Sequence, residues 1–180
     1  MMSTKTENVV LVDQNDVEIG EMEKYEAHRR GVLHRAFSVF VFNPEGELIM
    51  QRRAFTKYHS PGKWANTCCS HPRKGEEVLH AGHRRLVEEM GFDTRLRKVF
   101  SFIYKADVGQ GLIEHELDHV MVGTFEGVPK INPGEVEEWK AVKMETLRKE
   151  VEANPQDYAE WFKIIFERVL EFYQSKFPTD

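Results

Sequence analysis

The chain has 180 residues, with 25 Lys and Arg against 30 Asp and Glu, a formal net charge of -5, and 41% hydrophobic residues that include 12 Phe and 3 Trp. That length and apolar content suit one domain, 1–180, with a substantial core, and the acidic balance counts against nucleic acid as a partner. No run approaches the roughly 20 apolar residues of a membrane helix, and the first residues carry no apolar signal stretch, so a cytoplasmic protein without membrane contact is expected.

Runs rich in β-branched and aromatic residues predict strands at 8–12, 36–43, 48–52, 99–104, 116–125 and 137–142. Asn43, Pro44, Glu45 and Gly46 form a turn that joins two of these into a hairpin. Between Glu76 and Met90 the positions Val78, Gly82, Leu86 and Met90 recur every four residues, which is one face of a helix that Gly91 ends as C-terminal cap. A short helix is predicted over 144–153. A longer one has Asn154 as its cap, Pro155 at its first position, and Tyr158, Trp161, Phe162, Ile165, Val169 and Phe172 at helical spacing. Strands mixed with helices and including a hairpin point to an α+β arrangement, a mixed sheet flanked by helices.

The only cysteines, Cys68 and Cys69, are adjacent, so they read as free thiols in a reducing compartment. In extended chain they face opposite ways, and at most one enters a site; Cys68 is assigned to packing. Glu114 and Glu116 share one strand face, while His115 points away. Three imidazoles together with two such carboxylates suit a borderline divalent ion, Zn²⁺ or Mn²⁺, with Mg²⁺ favouring oxygen ligands alone.

The segment from Ser60 to Phe92 is the most informative. Glu76, Arg84, Glu88, Glu89 and Gly91 resemble a variant of the Nudix box, with Ser70 where the pattern has Gly and Arg85 where it has a Glu. Losing one carboxylate weakens a hydrolytic Mg²⁺ cage, whereas a guanidinium suits a diphosphate. The loop Asn66, Thr67, Cys68, Cys69, Ser70, His71, Pro72 resembles the cysteine motif of the type 1 isopentenyl-diphosphate isomerases, a Nudix-fold family that isomerises without hydrolysing. The resemblance runs from about Asn8 to Trp161.

The resemblance implies a Nudix-like fold and a set of roles. His28, His34 and His71 match the metal histidines, and Glu114 and Glu116 match the Glu pair, implying a site for Zn²⁺, Mn²⁺ or Mg²⁺. Glu89 matches the ligand of a second ion, Mg²⁺ bridging the diphosphate. Lys24, Arg53, Lys57 and Arg85 fall where the family places cations for that diphosphate. Cys69 and Glu116 match the proton-transferring pair, with Tyr104 and Trp161 as active-site aromatics. The implied substrate is isopentenyl diphosphate and the product dimethylallyl diphosphate for isoprenoid synthesis; separately, no exposed face is clearly self-complementary, so a monomer is expected.

Cys69 would exchange a proton if positive neighbours lowered its pKa. Trp161 would lend a ring face to a developing cation, and Trp64 would help keep the site dry. Against these readings stand plainer ones. Glu88 is a helix-pairing residue, and His59, His80, His83, His115 and His119 are read as ordinary surface or core histidines. A nucleotide pyrophosphatase is the main rival, favoured by Glu76, Glu88 and Glu89 and opposed by Arg85 and Cys69; a non-catalytic metal-binding protein is the other. A flavin-dependent isomerase is disfavoured because no glycine-rich phosphate loop is present, so no flavin is expected.

Overall fold

A computed structural model describes residues 6–176. The first five residues, on which the absence of a signal stretch partly rests, lie outside it. The described chain runs β1 (Asn8–Val12), β2 (Glu18–Glu23), α1 (Lys24–Arg30), β3 (His34–Phe42), β4 (Glu47–Arg53), β5 (Trp64–Ala65) and β6 (Cys68–Ser70). It continues through α2 (Val78–Met90), β7 (Arg97–Gly109), β8 (Leu112–Thr124), β9 (Val136–Lys143), α3 (Met144–Ala153) and α4 (Glu160–Lys176). The strands form one mixed sheet, with β3 at its centre pairing antiparallel to β1, β4 and β6 and parallel to β8. No helix among the described residues is long and apolar enough to cross a membrane.

β3 is apolar on both faces because helices cover both. Phe37, Val39 and Val41 pack with Leu86 and Met90 of α2 on one side. Phe40 packs with Phe162, Ile165 and Phe166 of α4 on the other. The side-chain period of two therefore sends Ser38 to the α4 side, and it sends Cys68 and Cys69 to opposite sides, as the sequence suggested.

α2 carries its predicted face inward. Gly82 lets Met121 pack close, since a Cβ there would stand 2.6 Å from Met121 Cε and push that flexible side chain aside. Gly91 ends the helix at φ 70, and a Cβ at this position would meet the Lys130 carbonyl oxygen at 2.1 Å. Gly91→Ala combines a left-handed backbone with that clash, so a loss of about 2 kcal/mol or more is expected, read as a lowered urea midpoint with an unchanged m-value.

The last predicted helix is corrected at its start. Asn154 makes no side-chain cap, Pro155–Asp157 form a single 3-10 turn, and the chain is extended at Tyr158 before α4 begins at Glu160. Tertiary pairing overrides the cap signal. The Ala159 N–H donates to the Trp64 carbonyl at 2.9 Å, and Tyr158 is buried on Phe162 with its hydroxyl on Glu150. Strand β2, helix α1 and the very short β5 and β6 carry no sequence signal strong enough to predict. β2 is largely exposed with no apolar face, and α1 buries only Ala27 and His28.

Candidate active site

Strand register assembles the site. Pairing of β3 with β8 sets His34 opposite Glu116, and pairing of β7 with β8 sets Tyr104 opposite the same residue. His28 comes from α1, which Glu23 caps by accepting from the N–H groups of Tyr25 and Glu26 and which Gly31 closes at φ 63. His71 follows β6. The Nε2 atoms of His28, His34 and His71 stand 3.8, 3.2 and 2.9 Å from Glu116 Oε1. The ligand atoms of these four residues all lie within 4.8 Å of one another.

This donor set fits a divalent ion. His34 Nδ1 donates to the Val32 carbonyl at 2.8 Å, which fixes the ring with Nε2 facing Glu116 Oε1 at 3.2 Å. His28 has Nδ1 on the Tyr58 hydroxyl at 2.8 Å, while its buried Nε2 has no hydrogen-bond partner. Imidazoles oriented through Nδ1 with Nε2 free are the arrangement metal-ligating histidines adopt.

Glu114 lies on the same strand face but outside that four-residue group. The Tyr104 hydroxyl bridges the two carboxylates, 3.0 Å from Glu114 and 2.7 Å from Glu116. Burial, joined by the charge of Glu116, pushes the Glu114 carboxyl well up. Burial alone would raise Glu116 too, yet the facing imidazoles of His28, His34 and His71 outweigh it and hold that carboxyl well below the usual range. Neighbouring carboxyl groups driven apart in this way suit proton transfer.

Burial also pulls the His71 imidazole down to about 4, against the attraction of Glu116. The unfolded imidazole takes up its proton below about 6.5 and the folded one does not until about 4, so the unfolded state binds more protons in that window and stability falls with pH. In metal-free protein, the stability difference between wild type and His71→Gln should therefore shrink in favour of the variant as pH falls from 7 to 4. Urea midpoints at several pH values measure it, and a pH-independent difference would contradict the assignment.

Cys69 faces the same cavity from the opposite side. Its thiol donates to Asn66 Oδ1 at 3.0 Å and lies 3.5 Å from Ser38 Oγ, while Asn66 is itself fixed by the carbonyls of Val39 and Cys68. The expected lowering of its pKa is corrected: burial raises it, and the nearby Asp118 carboxylate adds to the rise. Both effects hold Cys69 toward its thiol form.

At the cavity's other end stand Lys24, Arg53, Lys57, Arg85 and Glu89. Lys24 pairs with Glu7 at 2.5 Å, Lys57 pairs with Glu135, and Arg85 contacts Glu88 at 2.6 Å and Glu89 at 2.5 Å. Gln51 donates to the other oxygen of Glu89 at 2.7 Å. Arg84 holds Glu76 through two hydrogen bonds of 2.7 and 2.8 Å, which ties the loop before α2 to the helix.

Every candidate except His28, His34 and Trp64 lines this one cavity, and the two histidines are fully buried in the four-residue group that could hold an ion. Trp161 also lines it, but the cation over its ring is Arg53, at 4.9 Å, and its buried indole N–H has no hydrogen-bond partner. Trp64 does not reach the cavity. It lies on β5 beneath Lys140, at 4.5 Å, because its strand pairing turns it toward the α3 and α4 side of the core.

His59, given the plain reading of a surface or core histidine, is buried in the cavity wall with Tyr58 beside it. Both sit on a loop with no periodicity, so only their position just after Lys57 could have drawn attention. Three other histidines lie elsewhere: His83 on Asp93, His115 on the Gly31 carbonyl, and His119 on Asp16.

The NUDIX domain model matches residues 32–162. Isopentenyl-diphosphate Delta-isomerase 2 of Photorhabdus laumondii is 52% identical over 159 residues, covering 88% of this chain and 90% of that protein. Isopentenyl-diphosphate Delta-isomerase 2 of Aromatoleum aromaticum is 49% identical over 164 residues, covering 91% and 87%. The chain belongs to the isopentenyl-diphosphate Delta-isomerase family of Nudix proteins. In solved structures the same fold recurs at lower identity. A Deinococcus radiodurans protein superposes with TM-score 0.73 at 18% identity, covering 90% of this chain and 98% of its own. The MutT protein of Methanosarcina mazei gives 0.65 at 17% identity, covering 79% and 96%. Arg85, Cys69 and Glu116 all line the one cavity.

Proposed function

We infer that the chain converts isopentenyl diphosphate to dimethylallyl diphosphate, adding a proton at the terminal alkene carbon and removing one from a carbon two bonds away. The observation that supports this best is the pairing across one cavity of a thiol, Cys69, with the Tyr104-bridged carboxylate of Glu116. Protonation of the alkene carbon generates a tertiary carbocation, so an acid and a base are needed on either side of a flat hydrocarbon. Cys69 and Glu116 are that pair, and Tyr104 bridges Glu116 to Glu114. The edge and face of Trp161 line the hydrocarbon's space, and its ring lowers the energy of positive charge beside it by about 0.5 to 2 kcal/mol.

Lys24, Arg53, Lys57 and Arg85 bind the diphosphate, exchanging their present carboxylate partners for phosphate oxygens, and so turn binding energy into positioning. His28, His34, His71 and Glu116, with Glu114, would hold Zn²⁺, Mn²⁺ or Mg²⁺, which would supply positive charge beside the carboxylates. Glu89, beside Arg85, would hold Mg²⁺, which would offset the charge of the diphosphate. The enzyme acts without flavin, in the cytoplasm, as a monomeric single domain spanning 1–180.

Counting phosphate decides between this reading and the pyrophosphatase rival. Purified protein with Mg²⁺ should turn isopentenyl diphosphate into an isomer with its diphosphate intact and should release nothing from nucleoside diphosphate derivatives. Orthophosphate or nucleoside monophosphate as the main product would overturn it.

A further inference from the structure

We propose that His59 is a further ligand of the ion held at the His/Glu centre, entering through the side occupied by Glu114. Its Nε2 stands 3.7 Å from Glu114 Oε1. That is beyond hydrogen-bond reach, yet it lies in the range of about 3 to 4 Å that a nitrogen and an oxygen show when each sits about 2.1 Å from one ion.

The surroundings are built to present that nitrogen. His59 is 6% exposed, and its ring lies 5.7 Å from the ring of His28 and edge-on to Trp161 at 5.5 Å. Nδ1 faces Ser60 Oγ at 3.5 Å, the same division of labour between ring nitrogens that His28 and His34 show. Arg53 donates to the His59 carbonyl at 3.1 Å, fixing the backbone from behind. Ser60 holds a left-handed conformation at φ 49, and strain of this kind in a non-glycine residue persists where surrounding structure enforces it. His59 lines the same cavity as His71, Glu114 and Glu116, so its Nε2 opens onto the space those side chains share.

A fourth imidazole changes the chemistry of the site. Three histidines and one carboxylate already complete the four-coordinate shell that Zn²⁺ favours. Adding His59 and Glu114 makes a six-ligand set of nitrogen and oxygen, which suits an ion content with six partners, such as Mn²⁺.

The inference rests on the His/Glu centre binding a divalent ion, and Mn²⁺ alone is the probe. Pulsed electron paramagnetic resonance of the Mn²⁺-loaded wild type should show four coordinated imidazole nitrogens. His59→Ala should show three and should bind Mn²⁺ at least tenfold more weakly in competition with a chelator. Three nitrogens in the wild type would overturn the role of His59 while leaving the centre intact, and this reading does not depend on the variant folding. An unchanged nitrogen count and affinity in His59→Ala would overturn it equally. Failure of the wild type to bind Mn²⁺ at all would overturn both the centre and its sixth ligand.

Discussion

Glu116→Gln is expected to lower kcat by roughly 10² to 10⁴, the range one acid–base group contributes, with little change in the fold. The amide keeps the shape of the side chain but removes the charge that three imidazole nitrogens face at 3.8, 3.2 and 2.9 Å. It also sets an N–H donor or a neutral oxygen against Tyr104, whose hydroxyl lies 2.7 Å from the present carboxylate. Metal affinity should fall together with turnover, because the same oxygen serves both. Steady-state assays alongside metal analysis of the dialysed variant measure the two effects. A variant with a wild-type rate would remove Glu116 from the reaction.

Cys69→Ala should lose a similar factor of roughly 10² to 10⁴ in kcat for a different reason. No metal contact changes, and the fold loses the thiol's hydrogen bond to Asn66 and its longer contact with Ser38, together worth about 1 kcal/mol. Loss of turnover without loss of metal therefore separates Cys69 from Glu116. Cys69→Ser sharpens the test. The hydroxyl can still donate to Asn66, so stability should recover, but a serine in the same buried position is a far poorer proton exchanger. Recovery of the rate along with stability would mean that Cys69 is structural.

The two predictions draw on features of unequal legibility. Cys69, His71, Arg85 and Glu89 were readable because they sit in a short, ordered motif, and strand alternation alone separated Cys68 from Cys69. The strands of the core were readable because β3 carries a long apolar run buried on both sides and β8 carries a shorter apolar run at Val120, Met121 and Val122. What escaped is set by tertiary contacts. The break before α4 depends on the Trp64 carbonyl, about a hundred residues earlier, capturing the Ala159 N–H. The depth of His59 depends on a loop closing over Trp161. The resting state of Cys69 depends on Asp118, which the parallel pairing of β3 and β8 brings into the site. No local pattern in the chain encodes any of these three.

The most direct test of the account is to incubate the metal-loaded protein with isopentenyl diphosphate in D₂O, without flavin or nucleotide, and to follow the substrate by proton NMR. The account predicts deuterated dimethylallyl diphosphate, with its diphosphate intact, from wild type and none from Cys69→Ala. Substrate left unchanged by well-folded, metal-loaded wild-type protein would contradict it.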